Sequence, residues 1–157
     1  MRIVFMGTPD FALPSLTILL EHSYHIAGVV TAPDKPKGRG QHIIPTPVKT
    51  LALARGLPVL QPQRLDDPSF AATLSSLQAD VIVVVAFRIL PPRVISLASK
   101  GAFNLHASLL PKYRGAAPIN WALIKGEEYT GVTTFFLREK VDTGSVILQA
   151  RVKIGHD

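Results

Sequence analysis

Short apolar runs alternate along the chain with segments whose apolar residues recur every three or four positions, and Gly or Pro separates most of them. Arg2–Met6 is an apolar run that ends in the turn-forming Gly7-Thr8-Pro9-Asp10. Pro14–Glu21 has the length and spacing of a short helix, and His25–Thr31 reads as a second strand. From Ala32 to Gln41 the Pro and Gly residues interrupt both helical and strand ladders, which predicts a loop. Thr46–Arg55 follows as a capped helix, with Pro47 in its first turn and Gly56 just past its end. Pro58–Leu60 reads as a strand and Pro68–Leu77 as a helix. Val81–Val85 is β-branched throughout with no polar alternation, the pattern of a strand covered on both faces in a parallel sheet. Pro91–Ser99 is a predicted helix, Ala102–His106 a strand and Ala117–Lys125 a helix whose Ile119 and Trp121 are expected in the core. Two strands, Thr130–Leu137 and Ser145–Ile154, are joined by Arg138–Gly144 as a hairpin-like pair. Repeated β-α units predict an α/β fold with a doubly wound, mostly parallel sheet and ligands outside the carboxyl ends of its strands.

Composition narrows this picture. The 157 residues suffice for one domain with its own core, and with 47% apolar and 18% charged residues the chain reads as globular. No apolar run reaches the roughly 18 residues of a membrane helix, and Met1-Arg2 leads directly into the first strand. With no cysteine, disulfides and cysteine-ligated metals are excluded, which is compatible with a reducing cytoplasm. A monomer without membrane attachment is the expected state. Seventeen Lys and Arg against 11 Asp and Glu give a net charge of +6, which favours an anionic partner such as nucleic acid, a phosphorylated substrate or folate carboxylates.

Chemistry concentrates in Asn104-Leu105-His106-Ala107-Ser108-Leu109-Leu110-Pro111-Lys112-Tyr113-Arg114-Gly115. Asn104 and His106 are two apart, so on a strand both side chains leave the same face, at the strand end where a site belongs. An amide can donate to a carbonyl oxygen that becomes negative, and an imidazole can move a proton near neutral pH. A polar pair closing a turn would also explain them. Asp142-Thr143-Gly144 is an ordinary turn sequence, but a carboxylate beside His106 would fix its tautomer. His22, His25, His42 and His156 have no metal-ligand spacing, so no metal is expected. Gly7 alone does not make the Gly-x-Gly-x-x-Gly dinucleotide fingerprint.

Asn104, His106, Ser108-Leu109-Leu110-Pro111 and Asp142 together resemble the signature of the folate-dependent formyltransferases. Gly7-Thr8-Pro9-Asp10-Phe11 and Pro33-Asp34-Lys35-Pro36-Lys37-Gly38-Arg39-Gly40 are similar to the branch of that family that acts on methionyl-tRNA. The resemblance implies a Rossmann-like formyltransferase fold and a formyl group passed from 10-formyltetrahydrofolate to the α-amino group of initiator methionyl-tRNA. It implies Asn104, His106 and Asp142 as catalytic residues. Ser108, Leu109, Leu110 and Pro111 would bind folate, as would the backbone around Phe87, Arg88, Ile89 and Leu90, where many members have Tyr-Gly in place of Phe87-Arg88. Lys35, Lys37 and Arg39 would approach the acceptor end of the tRNA. Members of the family are longer and carry a second, C-terminal domain, so residues 1–157 are expected to be the catalytic domain short of its terminal helix.

Three other readings stay open. A formyltransferase for an amino-sugar nucleotide would share the site but lack the Lys/Arg loop. Glycinamide ribonucleotide formyltransferase would need a phosphate loop where Pro9 removes an N–H. A non-catalytic tRNA- or nucleotide-binding module would bind without transferring formyl.

Overall fold

Four consecutive apolar residues, Ile3 to Met6, are all buried in β1 (Arg2–Gly7), as a strand with both faces covered requires. The computed structural model describes residues 1–37, 42–138 and 144–155. Two compact units make up the chain, Met1–Ala102 and Phe103–Asp157.

In the first unit β1 leads through a single 3-10 turn (Asp10–Ala12) into α1 (Leu13–Glu21) and β2 (His25–Val30). A ribbon of β3 (Lys35–Lys37) and β4 (His42–Ile44) follows, then α2 (Pro47–Ala54), β5 (Val59–Leu60), α3 (Pro68–Ser76), β6 (Val81–Val85) and α4 (Pro92–Ile95). β1 pairs in parallel with β2 on one side and β6 on the other, and β2 pairs in parallel with β5. The order β5-β2-β1-β6 is third, second, first, fourth among the parallel strands, which is how the Rossmann strand order begins. Strand order reverses between β1 and β6, and their last residues, Gly7 and Val85, are register partners. The turn Thr8–Asp10 and the segment Phe87–Leu90 therefore leave the sheet together at the switch point, where ligands bind in such sheets. Gly7 permits the sharp exit, since a β-carbon there would lie 2.8 Å from Ala12 Cβ and 3.1 Å from the Val85 carbonyl oxygen.

Helices close over the sheet with Leu16 from α1, Val48 and Ala52 from α2, Phe70 and Leu74 from α3 and Val94 from α4, all buried. Their starts are written locally: the Thr46 hydroxyl accepts from the Lys49 amide at 3.1 Å, the Asp67 carboxylate accepts from the Ser69 amide at 2.8 Å, and proline occupies the first turn of both helices.

The second unit carries β7 (Ala102–His106), α5 (Pro118–Ile124), β8 (Tyr129–Phe136) and β9 (Val146–Lys153). Both pairings, β7 with β8 and β8 with β9, are antiparallel. Gly131, Thr133 and Phe135 alternate as the buried positions of β8, whereas every residue of β9 is exposed, including Val146, Ile147, Leu148 and Val152.

Strands at Val81–Val85 and Ala102–His106 and the hairpin-like final pair stand as expected. Three local expectations are corrected. Loop is expected throughout residues 32–41, yet Lys35–Lys37 pairs with His42–Ile44, Pro36 opposite Ile43. A two-stranded ribbon has an open edge on each side, where the missing N–H of a proline does no harm. The helix expected over Pro91–Ser99 stops at Ile95, and the Ser99 and Lys100 amides instead donate to the carbonyls of Ala79 and Asp80. Ile119 and Trp121 are not core residues: they are 42% and 49% exposed, because α5 is only seven residues long and buries Ala122 alone.

Candidate active site

β7 brings the chemistry of the second unit to its carboxyl end. Asn104 lies opposite Phe135 and His106 opposite Thr133, so the two side chains share one face of the strand. Asn104 is half-buried and His106 is 7% exposed. His106 Nε2 lies 2.7 Å from the Tyr113 carbonyl oxygen. A carbonyl can only accept, so Nε2 carries a hydrogen, and in the neutral ring the lone pair sits on Nδ1. The imidazole is thereby set in one tautomer.

Past His106 the chain makes the turn Ser108–Pro111, with a cis peptide at Leu110-Pro111. Ser108 is fully buried and its hydroxyl donates to the Lys112 carbonyl at 2.6 Å. Thr133, also fully buried, donates to the Ser108 carbonyl at 2.7 Å and accepts from the Leu110 amide at 3.1 Å. Gln149 Nε2 donates both to the Thr133 hydroxyl at 3.0 Å and to the Leu110 carbonyl at 2.9 Å. Leu109 packs over Gly131, where a β-carbon would overlap the Leu109 side chain and the Ala150 carbonyl oxygen. The turn is thus fixed by two strand residues, Thr133 and Gln149, that sequence reasoning did not single out. A glutamine among the apolar residues of β9 was the available signal. Thr133→Val keeps the volume but leaves a buried amide and carbonyl without their hydroxyl, and should lower stability by about 1–3 kcal/mol in chemical denaturation.

The loop then folds back on Glu127. Lys112 Nζ lies 3.0 and 3.2 Å from its two carboxylate oxygens, and the Tyr113 hydroxyl donates to Oε1 at 2.7 Å. These two donors, Tyr113 first, hold the Glu127 carboxyl below its ordinary range, while Glu127 pushes the Tyr113 phenol upward. Tyr113 has a left-handed backbone, φ 54°, which a residue with a side chain adopts only where its surroundings impose it.

In the first unit the segment after β6 begins with Ala86 at φ 47°. Phe87 and Arg88 are half-buried, Ile89 is exposed and Leu90 is buried. The Arg88 guanidinium donates to the Gln63 carbonyl at 2.9 Å and the Pro62 carbonyl at 2.8 Å, 5.3 Å from the Phe87 ring centroid. Burial lowers its affinity for its proton. Its side chain thus ties the segment to the stretch after β5.

The basic ribbon is rooted in a polar cluster. Asp34 pairs with Lys49 and accepts from Gln61 Nε2 at 2.7 Å, and Gln61 also donates to the Ala32 carbonyl at 2.9 Å. The hydrogen bond from Lys49 is the main reason that the Asp34 carboxyl lies below its usual range. The hydroxyls of Thr31 and Thr46 are 2.8 Å apart beside it. Lys35 is exposed on β3, and Lys37 belongs to the same strand. Arg39 and Asp142 lie outside the described residues. Among the described residues no group of three or more His, Asp or Glu stands close enough to hold a metal ion, and no helix is long and apolar enough to cross a membrane.

Compared with known families, residues 1–157 match the family described as Formyl transferase. The chain belongs to the formyl transferase family. Similar curated proteins include the methionyl-tRNA formyltransferase of Chlorobium limicola, 61% identical over 163 residues that cover 100% of this chain and 50% of that protein. That of Bacteroides thetaiotaomicron is 56% identical over 154 residues, 98% of this chain and 48% of that protein. The chain spans about half the length of the curated relatives it matches. Among solved structures, phosphoribosylglycinamide formyltransferase from Bacillus halodurans superposes with a TM-score of 0.79 at 21% identity, covering 100% of this chain and 82% of that one. At that identity the likeness concerns the fold: the expected Rossmann-like formyltransferase architecture is the one this formyl transferase chain adopts.

Proposed function

We propose that this chain is the catalytic domain of an enzyme that transfers a formyl group from 10-formyltetrahydrofolate to the α-amino group of initiator methionyl-tRNA. The observation that carries the reading is the buried His106, held in one tautomer beside Asn104 at the end of β7, in a chain 54–61% identical to methionyl-tRNA formyltransferases. The amine needs no enzyme nucleophile, because a free α-amino group with a pKa of about 7.7–8.0 is partly neutral at pH 7. Its nitrogen attacks the formyl carbon, the carbonyl electrons move to oxygen, and collapse of the tetrahedral intermediate breaks the bond to N10. One proton passes from the attacking to the leaving nitrogen. In this reading the Asn104 amide donates to the developing oxyanion, His106 carries the proton through Nδ1, and Asp142 orients His106. The backbones of Ser108–Pro111 and Phe87–Leu90 hold the folate, leaving the Arg88 side chain to its carbonyl partners.

Transfer from 10-formyltetrahydrofolate to methionyl-tRNA, measured with an amino-sugar nucleotide as competing acceptor, tests the proposal. Formylation of the sugar nucleotide in preference, or of neither acceptor, rejects it. Lys35, Lys37 and Arg39 are assigned to tRNA phosphates, which supply affinity more than sequence choice. Lys35→Ala combined with Arg39→Ala should weaken tRNA binding and lower its salt slope by about 0.7–0.9 for every phosphate that is no longer neutralised. Folate binding should be unchanged. Unaltered tRNA affinity at moderate salt speaks against this assignment.

A further inference from the structure

Lys112 and Tyr113 are each used twice. Their side chains converge on Glu127, Lys112 Nζ at 3.0 Å and the Tyr113 hydroxyl at 2.7 Å. Their carbonyls turn the other way: that of Lys112 accepts from the Ser108 hydroxyl at 2.6 Å, and that of Tyr113 lies 2.7 Å from His106 Nε2. The backbone that presents these adjacent carbonyls includes a left-handed tyrosine, a conformation that needs external restraint. Glu127 supplies that restraint from just beyond α5, fourteen residues along the chain from Tyr113.

We infer that Glu127 is a positioning residue for His106, acting through Tyr113: its carboxylate clamps the Lys112-Tyr113 loop so that the Tyr113 carbonyl holds the Nε2 hydrogen of the imidazole. The inference rests on the proposed role of His106 as proton carrier. Were the clamp released, Tyr113 would relax out of the left-handed region and its carbonyl would swing away from the ring. His106 would then sample both tautomers, and the fraction with its lone pair on Nδ1 would fall. Ser108 would lose its acceptor on the neighbouring residue in the same movement.

Two measurements test this on the protein and its Glu127→Ala and Glu127→Gln variants. The first is the nitrogen-15 spectrum of the His106 ring, which distinguishes a protonated Nε2 from a protonated Nδ1 and reads the clamp whether or not formyl is transferred. The unmutated protein should show Nε2 protonated and Nδ1 bare, Glu127→Ala a mixture, and Glu127→Gln a pattern near the first, because a glutamine oxygen still accepts from the Tyr113 hydroxyl. The second is steady-state formyl transfer at saturating methionyl-tRNA. Glu127→Ala should lower kcat by up to about 100-fold, as misplacing a catalytic group does, with little change in the KM for folate. Glu127→Gln should recover most of the rate. An unchanged His106 spectrum in folded Glu127→Ala overturns the inference, as does a full kcat. A protein that shows the expected spectra but transfers no formyl at all leaves the clamp standing and removes the proposed function instead.

Discussion

Asn104→Ala is expected to slow formyl transfer about 100- to 1,000-fold, the usual consequence of removing one donor from an oxyanion site. Asn104 stands in the middle of a paired strand, opposite Phe135, and its amide is half-buried rather than solvated. The β-ladder fixes the main chain that carries this amide, so in the proposed role it needs little reorganisation as charge develops on the formyl oxygen, and its removal should fall on the transition state. The loss should therefore appear in kcat and leave the KM for folate nearly constant. Steady-state rates with methionyl-tRNA over a range of folate concentrations, alongside a thermal melt to establish that the variant is folded, measure it. Near-normal turnover in a folded Asn104→Ala protein removes the amide from the mechanism.

His106→Ala should be at least as damaging, with a loss of about 100- to 10,000-fold for a proton-transfer group. Added imidazole should restore part of the rate, because the vacated space is bordered by the same Tyr113 carbonyl that orients the natural ring. Near-normal turnover in a His106→Ala variant whose melt is unchanged would remove the imidazole from the mechanism. Since Nε2 is occupied by that carbonyl, 1-methylimidazole and 4-methylimidazole should differ in their power to rescue.

The parts of the fold legible in the sequence are those written by local pattern. Val81–Val85 announces its burial by β-branching without alternation, and Thr46 and Asp67 mark helix starts by cap chemistry. Less legible are features set by partners distant in sequence. The ribbon exists because Lys35–Lys37 meets His42–Ile44, a pairing that Pro36 disguises. α4 ends early because the amides of Ser99 and Lys100 find carbonyls at Ala79 and Asp80. Trp121 reads as core from its type alone, whereas the face of a seven-residue helix is decided by what lies beneath it.

The site divides in the same way. Asn104 and His106 can be placed on one strand face by their spacing of two, and they are there. Glu127, Thr133 and Gln149 act through hydrogen bonds across 14 to 39 residues of chain, and no local pattern marks such bonds. Arg88 shows the reverse case: a charged side chain in a segment expected to bind ligand turns to the carbonyls of Pro62 and Gln63. Asp142 and Arg39, candidates on the sequence and by resemblance alike, lie outside the described residues.

The ribbon is joined to the sheet through a root, Asp34 with Lys49 and Gln61, while His42, Ile43 and Ile44 along one strand lie open to water. Substitutions at these exposed positions therefore spare the buried core. On the proposed assignment of the ribbon to tRNA phosphates, acceptor preference is separately heritable: selection can rewrite these outer strands for a different polyanion while their root stays in place. A ribbon exchanged between relatives should carry its preference with it, provided the residues at its root travel too.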